Sequence, residues 1–169
     1  MSKKVSFGFD KLKNISREQK DMLDTVILRR LQYNGVESVA HARMNGAYKD
    51  RTGNLRNSIG FKLRRKSEEI EKSVVAETNP VPPSGDEHKG KADPAKSSQE
   101  SKVKLDNEDI NVEEFEMSLS VVAGMDYAEY VEKVHSLNVL EETKKQTIVN
   151  VRRDIDEVID LSVRKWRLQ

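Results

Sequence analysis

YKDRTGNLRNSIG, residues 48–60, is the stretch that decides the fold, because it joins a helical pattern to a strand pattern in a very polar chain. Thr52 can cap one helical turn through its hydroxyl, and Gly53 lets the backbone turn sharply. Leu55 and Ile59 are placed to anchor that turn to the core. The stretch therefore predicts a rigid corner between a helix and a sheet.

A long helix is predicted before this corner. Its start is marked by Ser16 and Gln19, which have the spacing of a capping box. Gly35, near its middle, indicates a bend or a close contact. One face carries Met22, Val26, Tyr33, Val36, Ala40 and Met44, with Leu23 and Ile27 at its flank. A second apolar surface, which we expect to be buried within the fold or against a neighbouring subunit, carries Leu28, Leu31 and Val39.

Alternation of apolar and polar residues predicts an antiparallel sheet. The strand after the corner and its hairpin partner carry Ile59, Phe61 and Leu63, then Ile70, Val74 and Ala76. The clearest amphipathic strand carries Phe115, Met117, Leu119, Val121 and Ala123. A short edge or arm strand near the start of the chain carries Val5, Phe7 and Phe9.

Residues 77–114 differ in composition from the strands on either side. They hold all four prolines of the protein, no aromatic residue and no sustained apolar periodicity. Since such a segment cannot build a core of its own, we predict an extended loop or arm that leaves and re-enters the fold at one place. Its candidate partner contacts are Pro80, Pro82, Pro83, Lys89, Lys91 and Pro94.

Two further helices are predicted in the last third of the chain. In GMDYAEYVE, residues 124–132, Asp126 and Glu129 have capping-box spacing, and the short helix that follows could run on to Val134 or His135. A long helix begins at Glu141, and we expect it to pack across the sheet or beside the first long helix. Its apolar face carries Ile148, Val151, Ile155, Val158, Ile159, Ser162 and Trp166.

These elements predict a single α+β domain over residues 1–169. An antiparallel sheet of about three to five strands packs against an N-terminal and a C-terminal long helix. The 77–114 loop is inserted between two of the strands.

Composition excludes several classes of function. The 30 basic residues nearly cancel the 29 acidic ones, so no strong field draws the chain to nucleic acid or to an anionic membrane. The absence of cysteine excludes disulfides, thiol nucleophiles and cysteine-based metal sites. No apolar run is long enough to span a membrane and the N-terminus lacks the apolar region of a signal peptide, so we expect an intracellular protein.

The residue types needed for catalysis are not grouped in this sequence. His41, His88 and His135 are far apart and have no helical partner at metal-ligand spacing, so they are interpreted as solvated or packing residues. Glycine-rich phosphate-binding motifs are also missing. We therefore predict no enzyme activity, no metal and no cofactor.

The best candidate for contact with nucleic acid is the basic run Lys62, Arg64, Arg65 and Lys66. Glu68, Glu69 and Glu71 follow at once and offset it. A protein that depends on phosphate contacts makes roughly 6 to 10 of them, more than this run supplies. A solvated hairpin is the favoured interpretation.

Two signatures, in this order, resemble the head-to-tail joining proteins of long-tailed bacteriophages, also called tail-completion or minor tail proteins. The first is a Thr-Gly-x-Leu-Arg-x-Ser-Ile segment after the first helix, carried by Thr52, Gly53, Leu55, Arg56, Ser58 and Ile59. The second is a small-residue strand end followed by Tyr-Ala-x-Tyr-Val-Glu, carried by Gly124, Tyr127, Ala128, Tyr130, Val131 and Glu132. The chain departs from the family after Glu132, where EKVHSLNVLEE replaces an aromatic residue, Gly, Thr and a Pro-containing stretch.

The resemblance implies a structural virion protein of the phage neck, assembled in the bacterial host cytoplasm. It implies a homo-oligomeric ring of six or twelve subunits, with connector or portal-side proteins on one side and tail tube or tail terminator proteins on the other. Genomic DNA would pass through the lumen without specific binding, and no membrane is involved. The residues implied to contact neighbouring subunits or partners are Tyr48, Asp50, Thr52, Gly53, Leu55, Arg56, Ser58, Tyr127, Tyr130 and Glu132.

Other interpretations stay open from the sequence. A tail-terminator role fits the same patterns, and a small nucleic-acid-binding regulator would use the 62–66 basic run. A hydrolase or nuclease is disfavoured by the missing ligand clusters. Within the first signature, Arg56 and Asp50 can pair inside one subunit or across to another.

Overall fold

The protein is described here by a computed structural model over residues 15–46, 52–66, 68–74, 80, 93–107, 117–134 and 139–167. Its helices and strands follow in chain order as α1 (Arg17–Asn45), α2 (Asn54–Asn57), β1 (Ile59–Arg65), β2 (Glu68–Ser73), α3 (Pro94–Asn107), β3 (Met117–Ala123), α4 (Ala128–Val134) and α5 (Glu141–Arg167). The predicted α+β class is confirmed: an antiparallel sheet packs against two long helices. The strand predicted around Phe7 lies outside the described residues.

The described strands form one sheet in the order β2-β1-β3, with both pairs antiparallel. β1 is therefore the central strand, and it is buried from Ile59 to Leu63. The hairpin between β1 and β2 turns at Lys66, whose φ of 53° is in the left-handed region. Because side chains alternate along a strand, Phe61 points to one face of the sheet and Lys62 to the other.

The face of the sheet that carries Ile59, Phe61 and Leu63 is covered by α1 and α5. α1 begins with the predicted capping box, in which Ser16 Oγ accepts from the Gln19 amide at 3.2 Å and Gln19 Oε1 accepts from the Ser16 amide at 2.9 Å. Gly35 is a close contact, as one of its two interpretations predicted. A Cβ built on it would lie 2.6 Å from the Phe61 ring.

α1 and α5 pack antiparallel, and their seam changes character along its length. Toward the start of α1 it is apolar, with Leu23, Ile27 and Leu31 against Ile155, Val158 and Ile159. Toward the end of α1 it is polar, with hydrogen bonds at Asn34–Asp154 (3.0 Å), Ser38–Thr147 (2.6 Å) and His41–Thr143 (2.9 Å). Buried polar pairs are satisfied in one alignment only, so these three pairs fix the register of the two helices. α5 therefore lies beside the first long helix.

The structure shows which of the two apolar surfaces of α1 meets the core. Met22, Tyr33 and Met44, from the main predicted apolar face, are 56%, 57% and 80% exposed. The buried face comprises Leu23, Ile27, Leu31, Asn34, Gly35, Ser38, Val39, Ala42 and Arg43. Hydrophobicity alone does not identify this buried face, because it uses small and hydrogen-bonded polar residues for close packing. The second apolar surface of the sequence prediction is thus part of the core.

The prediction of a 77–114 loop is wrong for residues 94–107, which form α3. Asp93 caps this helix, its Oδ1 accepting from the Lys96 amide at 3.0 Å, and Pro94 is the first helical residue. The buried face of α3 is made of Ser97, Ser98, Ser101 and Leu105, so it gave no apolar periodicity. Of the remaining predicted loop contacts, Pro80 is exposed. The others, Pro82, Pro83, Lys89 and Lys91, lie outside the described residues.

α3 covers the second face of the sheet at short range. A Cβ on Gly60 would lie 3.0 Å from Ser101 Oγ, and one on Gly124 would overlap the Ser101 backbone. The Ser98 and Ser101 hydroxyls are buried there without a hydrogen-bond partner. Serine is therefore used on this face for its small size, which lets the helix approach two glycines of the sheet.

A buried cation holds the C-terminal end of α3 on the sheet. Lys62, whose side chain is 3% exposed, donates from Nζ to the Leu105 carbonyl at 2.8 Å. Its Nζ also lies 3.5 Å from a Glu69 carboxylate oxygen and 4.0 Å from Asp106, which accepts from Lys72 at 2.6 Å. A positive charge is favoured at a helix C-terminus, where the last carbonyls lack helical partners. The two lysines and two carboxylates therefore fasten α3 to the β1–β2 hairpin.

Gly35→Ala is expected to destabilise the protein by about 1–3 kcal/mol, because the new methyl group meets the Phe61 ring. In an uncrowded helix the same change would stabilise by about 1 kcal/mol. Urea unfolding of Gly35→Ala, Phe61→Leu and the double variant tests this. If the cost of Gly35→Ala is the same in the Phe61→Leu background, steric contact with the ring is not its cause.

Acid is expected to weaken the docking of α3. The hydrogen bond from Lys72 lowers the pKa of Asp106 below its ordinary value of 3.8. Since folding favours the carboxylate, this contribution to the free energy of unfolding is complete above pH 3.8 and is lost as the pH falls through the lowered value. Asp106→Asn should therefore flatten the acid side of the stability profile measured by urea unfolding. Asp156→Asn, at an exposed position of α5, is the matched control, and equal flattening in both variants would contradict the assignment.

Candidate interaction surface

The first signature forms the predicted corner. Gly53, with φ 76°, directly precedes α2, and no side chain caps that turn at its first position. Thr52 lies one residue earlier than a standard cap, and its hydroxyl accepts from the Asn54 amide at 3.3 Å. Leu55 and Ile59 are buried in the cluster that also contains Phe61, as predicted. The corner is thus held by a left-handed glycine and two core anchors.

Ser58 joins the two signatures into one buried unit. Its carbonyl accepts from the Gly124 amide at 2.8 Å, and its hydroxyl accepts from the Met125 amide at 3.2 Å. The same hydroxyl donates to the Leu55 carbonyl at 2.8 Å. Ile59 then pairs with Ala123 in the sheet, so the ladder between β1 and β3 begins directly at this link. Ser58 is therefore a structural residue of the corner and is fully buried.

The end of α1 is tied to the same corner through two arginines. Arg56 donates to the Gly46 carbonyl at 3.2 Å, and Arg43 donates to Asn57 Oδ1 at 3.4 Å. The predicted partners Tyr48 and Asp50 lie outside the described residues, so the Asp50–Arg56 pair stays a prediction. Within the described residues, the contacts of Arg56 and Arg43 position the corner against α1.

The second signature leads into α4 (Ala128–Val134), which extends past Glu132 as predicted, and His135 lies outside the described residues. Ala128 is buried in the core, whereas Tyr127 and Tyr130 are 41% and 55% exposed. Glu132 points toward the next helix, and its carboxylate accepts from the Leu140 amide at 2.7 Å and the Glu141 amide at 2.9 Å. This carboxylate caps α5 from outside that helix, where it also meets the positive end of the helix dipole.

The residues predicted to contact partners thus divide into two groups. Gly53, Leu55 and Ser58 are buried, and Glu132 makes two hydrogen bonds within the chain, so these residues build the corner and α5. Tyr127 and Tyr130 remain as side chains of the signatures that present a large surface to solvent. We call these two tyrosines the α4 surface.

The basic run of β1 is largely used inside the protein. Lys62 is buried against α3, and Arg65 donates to Asp24 of α1 at 2.9 Å. Lys66 is the exposed residue of the hairpin turn. Such internal pairing leaves few cations for phosphates, which disfavours nucleic-acid recognition. The solvated-hairpin interpretation is wrong for Lys62, whose side chain is buried.

The described residues contain neither a metal-binding cluster nor a membrane-spanning helix. Within those ranges, no group of three or more His, Cys, Asp or Glu side chains could hold a metal ion. Among the helices that the structure describes, none is long and apolar enough to cross a lipid bilayer.

Comparison with protein-family models, with curated proteins and with solved structures gave no significant match. The resemblance to phage neck proteins therefore stays a prediction from the sequence. The geometry of the two signatures is the basis on which a function can be proposed.

Glu132→Ala is expected to destabilise the protein by about 1–2 kcal/mol, since two amides at the start of α5 lose a charged acceptor. Glu129→Ala is the matched control on α4: its carboxylate pairs with Lys133 four residues on, and both side chains are about 70% exposed. The control should cost less than about 0.5 kcal/mol. Thermal and urea unfolding check both variants, and equal losses would contradict a capping role for Glu132.

Proposed function

We propose that this chain is a structural virion protein of a long-tailed bacteriophage, one subunit of a neck ring that joins the DNA-filled head to the tail. The observation that carries the proposal is the link at Ser58, through which the two family-like signatures form one unit although they lie far apart in the sequence. Sequence features that occur together by chance have no reason to meet in the fold. The resemblance and the geometry therefore support the same proposal.

The α4 surface is the first candidate for contact with a neighbouring subunit or a neck partner. Tyrosine is enriched at protein interfaces, because its ring buries a large apolar area while its hydroxyl can stay hydrated or form a hydrogen bond. Ala128, between the two tyrosines in the sequence, is buried, so one side of α4 is fixed to the core. A helix anchored in this way holds its outer side chains in one orientation, which suits a contact repeated around a ring.

The charges of the chain suit a ring through which DNA passes without being bound. The net charge is +1, and the cations of β1 are mostly paired with carboxylates or carbonyls of the same chain. Strong phosphate binding would oppose movement of the genome through the lumen. The same observation disfavours the regulator that would use the 62–66 run.

The proposal is tested by deleting the gene from its phage and examining lysates by electron microscopy. DNA-filled heads and separate tails are expected. Complementation with the unaltered chain should restore joined particles, whereas Tyr127→Ala/Tyr130→Ala should fail or restore far fewer. Val149→Ala, an apolar side chain that is 60% exposed on α5, serves as the control for truncating an exposed residue.

Other outcomes separate the alternatives. Normal particles in the deletion lysate would overturn the structural role. Tails of abnormal length would indicate a tail terminator in place of a joining protein. If the purified chain bound DNA with an affinity that fell steeply as salt rose, the regulator hypothesis would replace the neck-ring proposal.

A further inference from the structure

A row of residues, all exposed except the half-buried Ala40, runs along α1 on the side away from the core. Its members are spaced four, three, four, three and four residues apart: Met22, Val26, Arg29, Tyr33, Val36 and Ala40, with Met44 one turn further on. Five of these are large hydrophobic residues that are 42–80% exposed. We call this row the outer face of α1.

The outer face lies opposite the buried face of the same helix. At about 100° per residue, Tyr33 and Ala40 are roughly half a turn away from Leu31 and Ser38, which pack against α5. Alternating steps of four and three residues are the spacing of a helix seam that packs against a second helix. α1 therefore has two seams, of which the fold covers one.

The outer face is nearly symmetric about Tyr33 when a second copy of the helix is laid on it in the opposite direction. Met22 then faces Met44 of the other copy, and Val26 faces Ala40. On one flank of the face, the half-exposed Arg30 lies beside the exposed Glu37 of the other copy, and on the other flank Arg29 lies beside Val36. Tyr33 faces its own counterpart at the two-fold axis.

We infer that the outer face of α1 binds the outer face of α1 in a second copy of this chain, as an antiparallel pair with its two-fold axis at Tyr33. Charge selects this occupant and this direction. An antiparallel pair brings Arg30 beside Glu37 twice, whereas a parallel pair brings Arg29 beside Arg30, two like charges, twice. The contact does not depend on the neck-ring function.

Glu37 is held in place for this contact by its own helix. Tyr33 donates a hydrogen bond to the Glu37 carboxylate one turn away, and this raises the pKa of the tyrosine hydroxyl. The carboxylate is thus fixed beside the aromatic ring at the centre of the face. An arginine arriving from the other copy would meet this carboxylate beside the tyrosine.

Cysteine placement in the full-length purified chain tests the geometry, because the chain has no cysteine of its own. Tyr33→Cys should form a disulfide-linked dimer on mild oxidation, since its two copies meet at the axis. Met22→Cys should not, because its two copies lie about 33 Å apart along the pair. A mixture of Met22→Cys and Met44→Cys should form the linked heterodimer.

Charge reversal tests the recognition. Sedimentation equilibrium of the unaltered chain should show a reversible dimer, and Arg30→Glu or Glu37→Arg should each raise its Kd about tenfold or more. The double variant Arg30→Glu/Glu37→Arg should restore a Kd close to that of the unaltered chain. Neither position is buried, and circular dichroism of each variant checks that the fold is intact.

Three results would overturn the inference. These are a monomer at all concentrations with no Tyr33→Cys dimer, equal cross-linking of every single-cysteine variant, and a dimer whose Kd is unchanged by both reversals. None of these results would bear on the neck-ring proposal, which stands or falls on the particles formed in the deletion lysate.

Discussion

The constraint on which this fold depends is the burial of β1 on both faces. Large side chains at Ile59, Phe61 and Leu63 fill the space below α1, while Gly60 on the other face lets α3 approach to contact distance. This arrangement buries the charge of Lys62, which is satisfied by the Leu105 carbonyl of α3 and the Glu69 carboxylate of β2. Each of these β1 residues is therefore constrained by the element that packs against it. The hydrogen bonds at Ser58 fix the register in which β1 pairs with β3, and so decide which side chains face α1 and which face α3.

Much of the fold follows from local patterns in the sequence. The capping box at Ser16, the left-handed glycine at 53 and the period of two along Met117–Ala123 each act over a few residues, so each could be recognised without the rest of the chain. The core face of α1 could not, because Asn34 and Ser38 become core residues only through partners on α5, more than one hundred positions away. The start of α3 could be recognised from Asp93 and Pro94, but its buried face consists mainly of serines and so gives no hydrophobic periodicity.

The candidate surface shows the same division. Motif resemblance selected ten residues of the corner and of α4, and it did not distinguish those that build the unit from those that face outward. Ser58 and Glu132 make their hydrogen bonds inside the chain. Their place in the signatures is therefore explained by the fold, without a contact to a partner. Only solvent exposure separates Tyr127 and Tyr130 from the rest, and exposure is a property of the folded chain.

The α4 surface and the outer face of α1 suit two different kinds of assembly. A ring between a head and a tail has two different ends, so its subunits all point the same way and meet through unlike surfaces. In any such ring of more than two subunits, no neighbours are related by a two-fold rotation. Under the neck-ring proposal, a two-fold contact through α1 therefore belongs to the chain before it enters the ring, where covering a long apolar row keeps the subunit from associating elsewhere. Ring formation then requires that the α1 pair separates, after which the outer face of α1 is either left uncovered or bound by a different neck or tail component. Because pairing depends on mass action, the concentration of unassembled subunits determines which contact α1 makes.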